Sequence, residues 1–278
     1  MKIFEAITFC LHYQKANSKV NTVKNYEFLL GKFGNIYNNW EVESITTEDE
    51  LSFLTDLSDG RKQNTKRGRY MTLSAFFNLI INTLQPDMKN PCQSPAARAL
   101  FRKPKSHQWT ILDKDTIDEA IYRTVYTRNR LMLELMARGG MRISEVLGLR
   151  PIDINDRKLL LNEPKSGREK EVVFIPQKLC TRLESYVREQ NLKANQRIFP
   201  LTYAGARKII VKTGIMLGVK LRPHDLRRHA ATYASRAGVP IEIISKFIVR
   251  HADLSTTQQY LGQVSDIEAI RWIENLHG

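Results

Sequence analysis

Arg222-Pro-His-Asp-Leu-Arg-Arg-His229, followed by His251-Ala-Asp-Leu-Ser-Thr-Thr-Gln-Gln-Tyr260, is the part of this chain that decides how the rest is read. The first string supplies a His-x-x-Arg pair, His224 and Arg227. The second sets a lone tyrosine nine residues after another histidine. Upstream, Gly139-Gly-Met-Arg-Ile-Ser-Glu-Val146 adds Arg142, three residues before Glu145. Each element alone is weak, since a His-x-x-Arg is ordinarily structural, an isolated tyrosine is ordinarily core, and Glu145 alone would be a helix surface acid. Their joint order and spacing carry the reading.

The residue types fit the breaking of a phosphodiester. Charge on the nonbridging oxygens must be held while attacking and leaving oxygens come into line. Many nucleases do this with two metal ions on clustered carboxylates. Here Asp153 and Asp156 lie close in sequence without a third partner, so no metal site is predicted. Arginine is the metal-free substitute, because its planar fork is always charged and holds two phosphate oxygens at once. Tyr260 would be the nucleophile; a phenol of reference pKa about 10 needs neighbouring cations to ionise. A lysine or histidine would protonate the leaving 5′ oxygen.

In order and spacing the set resembles the active site of the tyrosine recombinases, the phage integrase and Xer group. The resemblance is close from about 111 to 262 and only a general helical pattern before that. It implies the succession Arg142, Lys165, His224, Arg227, His251 and Tyr260, with Glu145 buttressing the first arginine. It further implies that both arginines grip the scissile phosphate, that a hairpin lysine protonates the leaving oxygen, and that the histidines assist. Lys165 beside Gly167 is chosen for that lysine, with Lys170 as the alternative. The family usually has Leu-Gly-His where this chain has Val249-Arg250-His251, so a permissive backbone position is lost and Arg250 is expected to add a phosphate contact. The implied fold is mainly α: a helical, SAM-like core-binding domain and a mostly helical catalytic domain with a small antiparallel sheet. The implied function is site-specific DNA recombination through a 3′-phosphotyrosine, without metal, ATP or other cofactor. Double-stranded DNA would be the partner, bound by a homotetramer in which two C-shaped clamps act on each duplex. Type IB topoisomerase-like relaxation and non-catalytic DNA binding are the alternatives.

Composition agrees. Of 278 residues, 42% are hydrophobic and 26% charged, ordinary globular proportions, but the net charge of +14 points to a polyanion. No apolar run is long enough to span a bilayer and no signal peptide is evident, so a cytoplasmic protein is expected. Cys10, Cys92 and Cys180 are too few and too scattered for a disulfide framework or a zinc site. Lys212-Thr-Gly214 has no accompanying Ser-x-x-Lys, and no Gly-x-x-x-x-Gly-Lys-Ser/Thr loop occurs, which argues against penicillin recognition and nucleotide hydrolysis.

Apolar periodicity places helices at 22–37, from 47, and at 64–84 in the first hundred residues. The third begins with Arg61, Lys62, Lys66, Arg67 and Arg69. Cations there oppose the helix dipole, so they are read as facing DNA phosphates. Prolines and charge mark a linker at 104–110 between domains at 1–103 and 111–278; Arg102, Lys103 and Lys105 are candidate backbone clamps. Because the chain starts close to its first helices, no further arm-site domain is expected ahead of them. The second domain reads as helices at 128–136, 144–149, 179–189, 203–217, 224–237, 241–247, 254–260 and 266–276, with strands at 158–162 and 171–175. The last helix carries an apolar stripe of Val264, Ile267, Ile270, Ile273 and Leu276, suited to docking on its own domain or on a neighbouring protomer.

Overall fold

The computed structural model describes residues 1–104, 111–162, 170–261, 270 and 273–274, with only the backbone described at 162, 170, 259 and 260. It divides into two compact units, residues 1–107 and 108–278.

The first unit consists of helices α1 (Ile3–Asn17), α2 (Val20–Tyr37), α3 (Thr47–Leu57), α4 (Gln63–Thr83) and the short α5 (Pro95–Leu100). α1 was not among the helices read from sequence: only Ile3, Ala6 and Cys10 of its residues are buried, a sparse stripe. α2 starts two residues earlier than periodicity implied, because Lys19 at its start caps through the backbone without a side-chain signal. α3 opens as its composition dictates, Thr46 Oγ1 accepting from Asp49 N while the Asp49 carboxylate accepts from Thr46 N at 2.9 Å. The core gathers around Phe33, whose ring meets Phe53 at 5.0 Å and Phe77 at 6.0 Å edge-on. Burying each such ring contributes roughly 1.5–3 kcal/mol.

The second unit runs α6 (Lys114–Tyr122), α7 (Thr127–Ala137), α8 (Ile143–Gly148), β1 (Ile154–Asn155), β2 (Lys158–Asn162), β3 (Lys170–Phe174), α9 (Gln177–Glu189), α10 (Tyr203–Met216), α11 (Pro223–Arg236), α12 (Ile241–Ile243) and α13 (Leu254–Leu261). The three strands form one antiparallel sheet in chain order, with Leu159 opposite Val173 and Leu161 opposite Glu171. The two-residue β1 is too short to leave a period in the sequence. α7 is buried on all sides, from Leu131 through Ala137, and is the axis of this core. Even its Glu134 is inside, gripped by both ends of the Arg182 guanidinium. The helix expected at 241–247 divides: after Ile243 it widens into a π-turn over Ile244–Ile248, which ends in the turn carrying His251. Among the described residues no helix is long and apolar enough to cross a membrane.

Candidate active site

The chain leaves α7 through Gly139-Gly140. Gly140 sits at φ +59°, and a Cβ there would lie 2.5 Å from the Ile248 carbonyl oxygen, so both conformation and space demand glycine. Two residues on, Arg142 starts α8. Glu145, in its first turn, accepts from the Arg142 backbone N–H at 2.8 Å and from Arg142 Nη1 at 2.6 Å. The Arg-x-x-Glu spacing thus lets one carboxylate close back on both the backbone N–H and the guanidinium of Arg142, which fixes the arginine's direction. Burial pushes the Glu145 carboxyl upward. Arg250, the Arg142 N–H and the Arg142 guanidinium outweigh that and hold it below the usual carboxylate range.

α11 carries His224 and Arg227, one turn apart, and brings Arg227 against the same loop. His224 is exposed at the helix start, whereas Arg227 is wholly buried at 1% exposure. Arg227 donates through Nη1 to Gly140 O and through Nη2 to Val249 O. A guanidinium in a dry interior needs such acceptors, and these two carbonyls lie in segments far apart in sequence. Beside it, buried Arg228 pairs with Asp225 at 2.9 Å.

His251 follows the π-turn. Its backbone N–H donates to Ser245 O at 2.9 Å, and its Nδ1 lies 2.9 Å from Thr257 Oγ1, which donates to Ser245 Oγ at 2.9 Å. Burial, followed by the cations of Arg227, Arg142, Arg250 and His224, pushes its pKa down to about 4. The ring is therefore neutral at physiological pH. Tyr260 lies on α13 three residues after Thr257, one helical turn further along; its backbone is described and its side chain is not. Lys165 and Lys105 lie outside the described residues. Lys170 opens β3, described at its backbone only.

Arg250 departs from its expected role. Rather than reaching outward for phosphate, its side chain is 2% exposed and ion-paired to Glu145 Oε2 at 2.7 Å, with Nε 3.4 Å from Glu171 Oε2. Two buried carboxylates draw the cation inward. The basic run in the first unit is divided as well. Arg61 and Lys62 are exposed and Lys66 is half-buried, but Arg67 donates to Phe101 O at 3.3 Å. Arg69 donates to Leu57 O and lies over the Phe28 ring, 5.6 Å from its centre. Arg102 and Lys103 are exposed. Among the described residues no cluster of three or more His, Cys, Asp or Glu is placed to hold a metal ion.

Sequence reasoning missed Glu171, Ser245 and Thr257. For Glu171 a signal existed. Glu171, Val173 and Ile175 alternate on the buried face of the strand, and an acid on such a face demands a buried cation. Ser245 and Thr257 have no such signal, because a hydroxyl reads alike in a core and on a surface.

Comparison with known proteins gives the family and the fold. The model of the Phage integrase family matches residues 111–265. Tyrosine recombinase XerA of Pyrococcus furiosus is 28% identical, over 97% of this chain and 95% of that protein. Among solved structures, the Tn1549 transposon integrase in complex with transposon right end DNA has a TM-score of 0.77 at 15% identity, covering 100% of both chains. A lambda integrase dimer bound to a COC′ core site has a TM-score of 0.74 at 17% identity, covering 96% of this chain and 97% of that one. At those identities the two structures speak for the fold.

Proposed function

The chain belongs to the phage integrase family and is a tyrosine recombinase, and we propose that Tyr260 is its nucleophile in a catalytic domain spanning 111–278, with 1–103 gripping DNA at the core site. The observation that carries this reading is the convergence of Arg142, Arg227 and His251 at the turn that leads into the helix of Tyr260.

Tyr260 Oη attacks the scissile phosphorus. The 3′-phosphate becomes esterified to the tyrosine, and the 5′ oxygen departs with a proton. Rejoining reverses these bonds, with a 5′-hydroxyl attacking the phosphotyrosine, so the energy of the broken linkage is kept and neither ATP nor a metal is required. Arg142, fixed by Glu145 and partly exposed, takes nonbridging oxygens. Arg227 supplies charge from below, and direct contact with the phosphate requires it to exchange a carbonyl bond. With the Thr257 hydroxyl donating to Ser245, Thr257 Oγ1 accepts Nδ1–H of His251, which makes Nε2 the ring nitrogen able to receive the phenolic proton. Lys165, or else Lys170, protonates the leaving oxygen; His224 at the helix start adds a hydrogen bond to the phosphate.

Double-stranded DNA with a defined site is the partner, held on the first unit by Arg61, Lys62 and Lys66. Arg102, Lys103 and Lys105 lie along the connecting segment. Four protomers act on two duplexes, and the apolar stripe around exposed Ile270 and Ile273 docks on a neighbouring protomer. Three free buried cysteines suit a reducing cytoplasm.

A nicked suicide duplex tests the chemistry. Wild-type protein should form a covalent adduct in EDTA, and Tyr260→Phe should bind the DNA equally but form none. An adduct with the phenylalanine variant would sink the assignment. Truncation after Gly262 should spare single-site binding and abolish two-site complexes; persistence of those complexes would count against docking in trans. A monomer relaxing any supercoiled plasmid would instead favour topoisomerase activity.

A further inference from the structure

Arg250 is held at considerable local cost. Its backbone lies at φ +47°, a left-handed region unfavourable for a non-glycine residue, and its guanidinium is almost fully withdrawn from water, which disfavours a charge. What offsets these costs is specific. Nη2 meets Glu145 Oε2 at 2.7 Å, Nε faces Glu171 Oε2 at 3.4 Å, and Nη1 donates to Ile248 O at 2.8 Å. Arg142 Nη2 in turn reaches the Arg250 carbonyl at 3.4 Å. Glu145 is therefore shared by two arginines. Arg142 and Arg250 form with Glu145 and Glu171 an alternating chain that runs from α8 to strand β3.

We propose that Arg250 is a positioning residue, which holds Arg142 through their shared Glu145 and, through Glu171, pins β3 to the turn that carries His251. Arg142 and Arg250 pair with Glu145 and Glu171 and balance them, while Arg227, held by the Gly140 and Val249 carbonyls, adds positive charge beside His251. Without Arg250 the ion-paired set holds two buried carboxylates against Arg142 alone. The proposal rests on reading Arg142 as the phosphate ligand.

Single-turnover adduct formation on the nicked duplex, at saturating protein, tests it. Arg250→Met keeps length and removes charge. It should bind DNA within about twofold of wild type yet form adduct roughly ten- to hundredfold more slowly, the range for removing one member of a coupled charge network. Adding Glu171→Gln should then restore much of the rate, because one uncompensated carboxylate is gone; a loss of packing alone would not respond. Wild-type rate in Arg250→Met, or a double variant no faster than it, overturns the proposal. Should Arg250→Met fail to fold, Arg250→Lys, which cannot span both carboxylates, is read in the same way with and without Glu171→Gln. Arg142→Ala in the same assay reports on the underlying reading: a fully active Arg142→Ala removes the phosphate ligand, whatever Arg250 does.

Discussion

Replacing Arg227 should damage the fold as well as the chemistry, and the size of that damage follows from its bonds. Arg227→Met keeps the volume but removes donors from the Gly140 and Val249 carbonyls. A buried hydrogen bond from a charged donor contributes roughly 1.5–3 kcal/mol, and an orphaned buried carbonyl costs about 1–3 kcal/mol. Gly140 O keeps a long contact from Arg250 Nη2 at 3.5 Å, which softens one of the two losses. A net destabilisation of about 3 kcal/mol is expected, or about 6–12 °C in melting temperature for a unit of this size. Arg142→Met sets the comparison. Its ion pair is partly exposed, and Glu145 retains Arg250, so about 1 kcal/mol is at stake. Calorimetry on the full chain, following the transition of the catalytic unit, should rank the two variants in that order, with both defective in adduct formation. An Arg227→Met protein that unfolds within 0.5 kcal/mol of wild type, or an Arg142→Met protein that is the less stable, would refute the reasoning.

His251 titrates at about 4, below the ordinary 6.5. The unfolded chain therefore takes up more protons between those values, and stability present above about pH 6.5 is lost as pH falls toward 4. His251→Gln should flatten that acid loss, and an imidazole NMR midpoint near 6.5 would contradict the buried, cation-ringed setting. Gly140→Ala forces a Cβ against the Ile248 carbonyl at φ +59° and should cost roughly 2 kcal/mol or more in urea unfolding; a neutral substitution would mean the loop is free to move. Arg61→Ala with Lys62→Ala should leave stability unchanged and lower the salt slope of DNA binding by about 0.9 per lost contact. Arg69→Ala, by contrast, should lower the melting temperature of the first unit, because it ties Leu57 O and covers Phe28. An unaltered salt slope in the first pair, or an unaltered melt in the second, removes the respective role.

Much of this was legible in the residues themselves. The apolar stripe of α2, the acid-opened α3 and the strand pair around 158–175 follow from local periodicity and capping, which are short-range properties. The Arg142–Glu145 pair was legible only through the family resemblance, since Glu145 by itself reads as a helix surface acid, although the bonds between them stay within four residues. What escaped was set by long-range partners. Arg250 reads as an exposed cation until Glu145 and Glu171, from other elements, are brought beside it. Arg67 and Arg69 look like a DNA-facing pair until carbonyls of Phe101 and Leu57 claim them. The π-turn at Ile244–Ile248 shifts the helical register by a residue that periodicity averages away.

The Gly140 carbonyl, which receives Arg227 from 87 residues downstream and Arg250 from 110, also orders events during synthesis. Contacts of such separation close late, after local helices have formed. A chain still on the ribosome and ending before residue 248 holds Arg142 and Arg227 but lacks the Val249 acceptor, the His251 turn and Tyr260. Its cations are then unassembled, because the Arg250 and Val249 carbonyls that hold Arg142 and Arg227 are not yet present. With Tyr260 as the proposed nucleophile, strand-breaking competence arrives only once the chain has been made through residue 260.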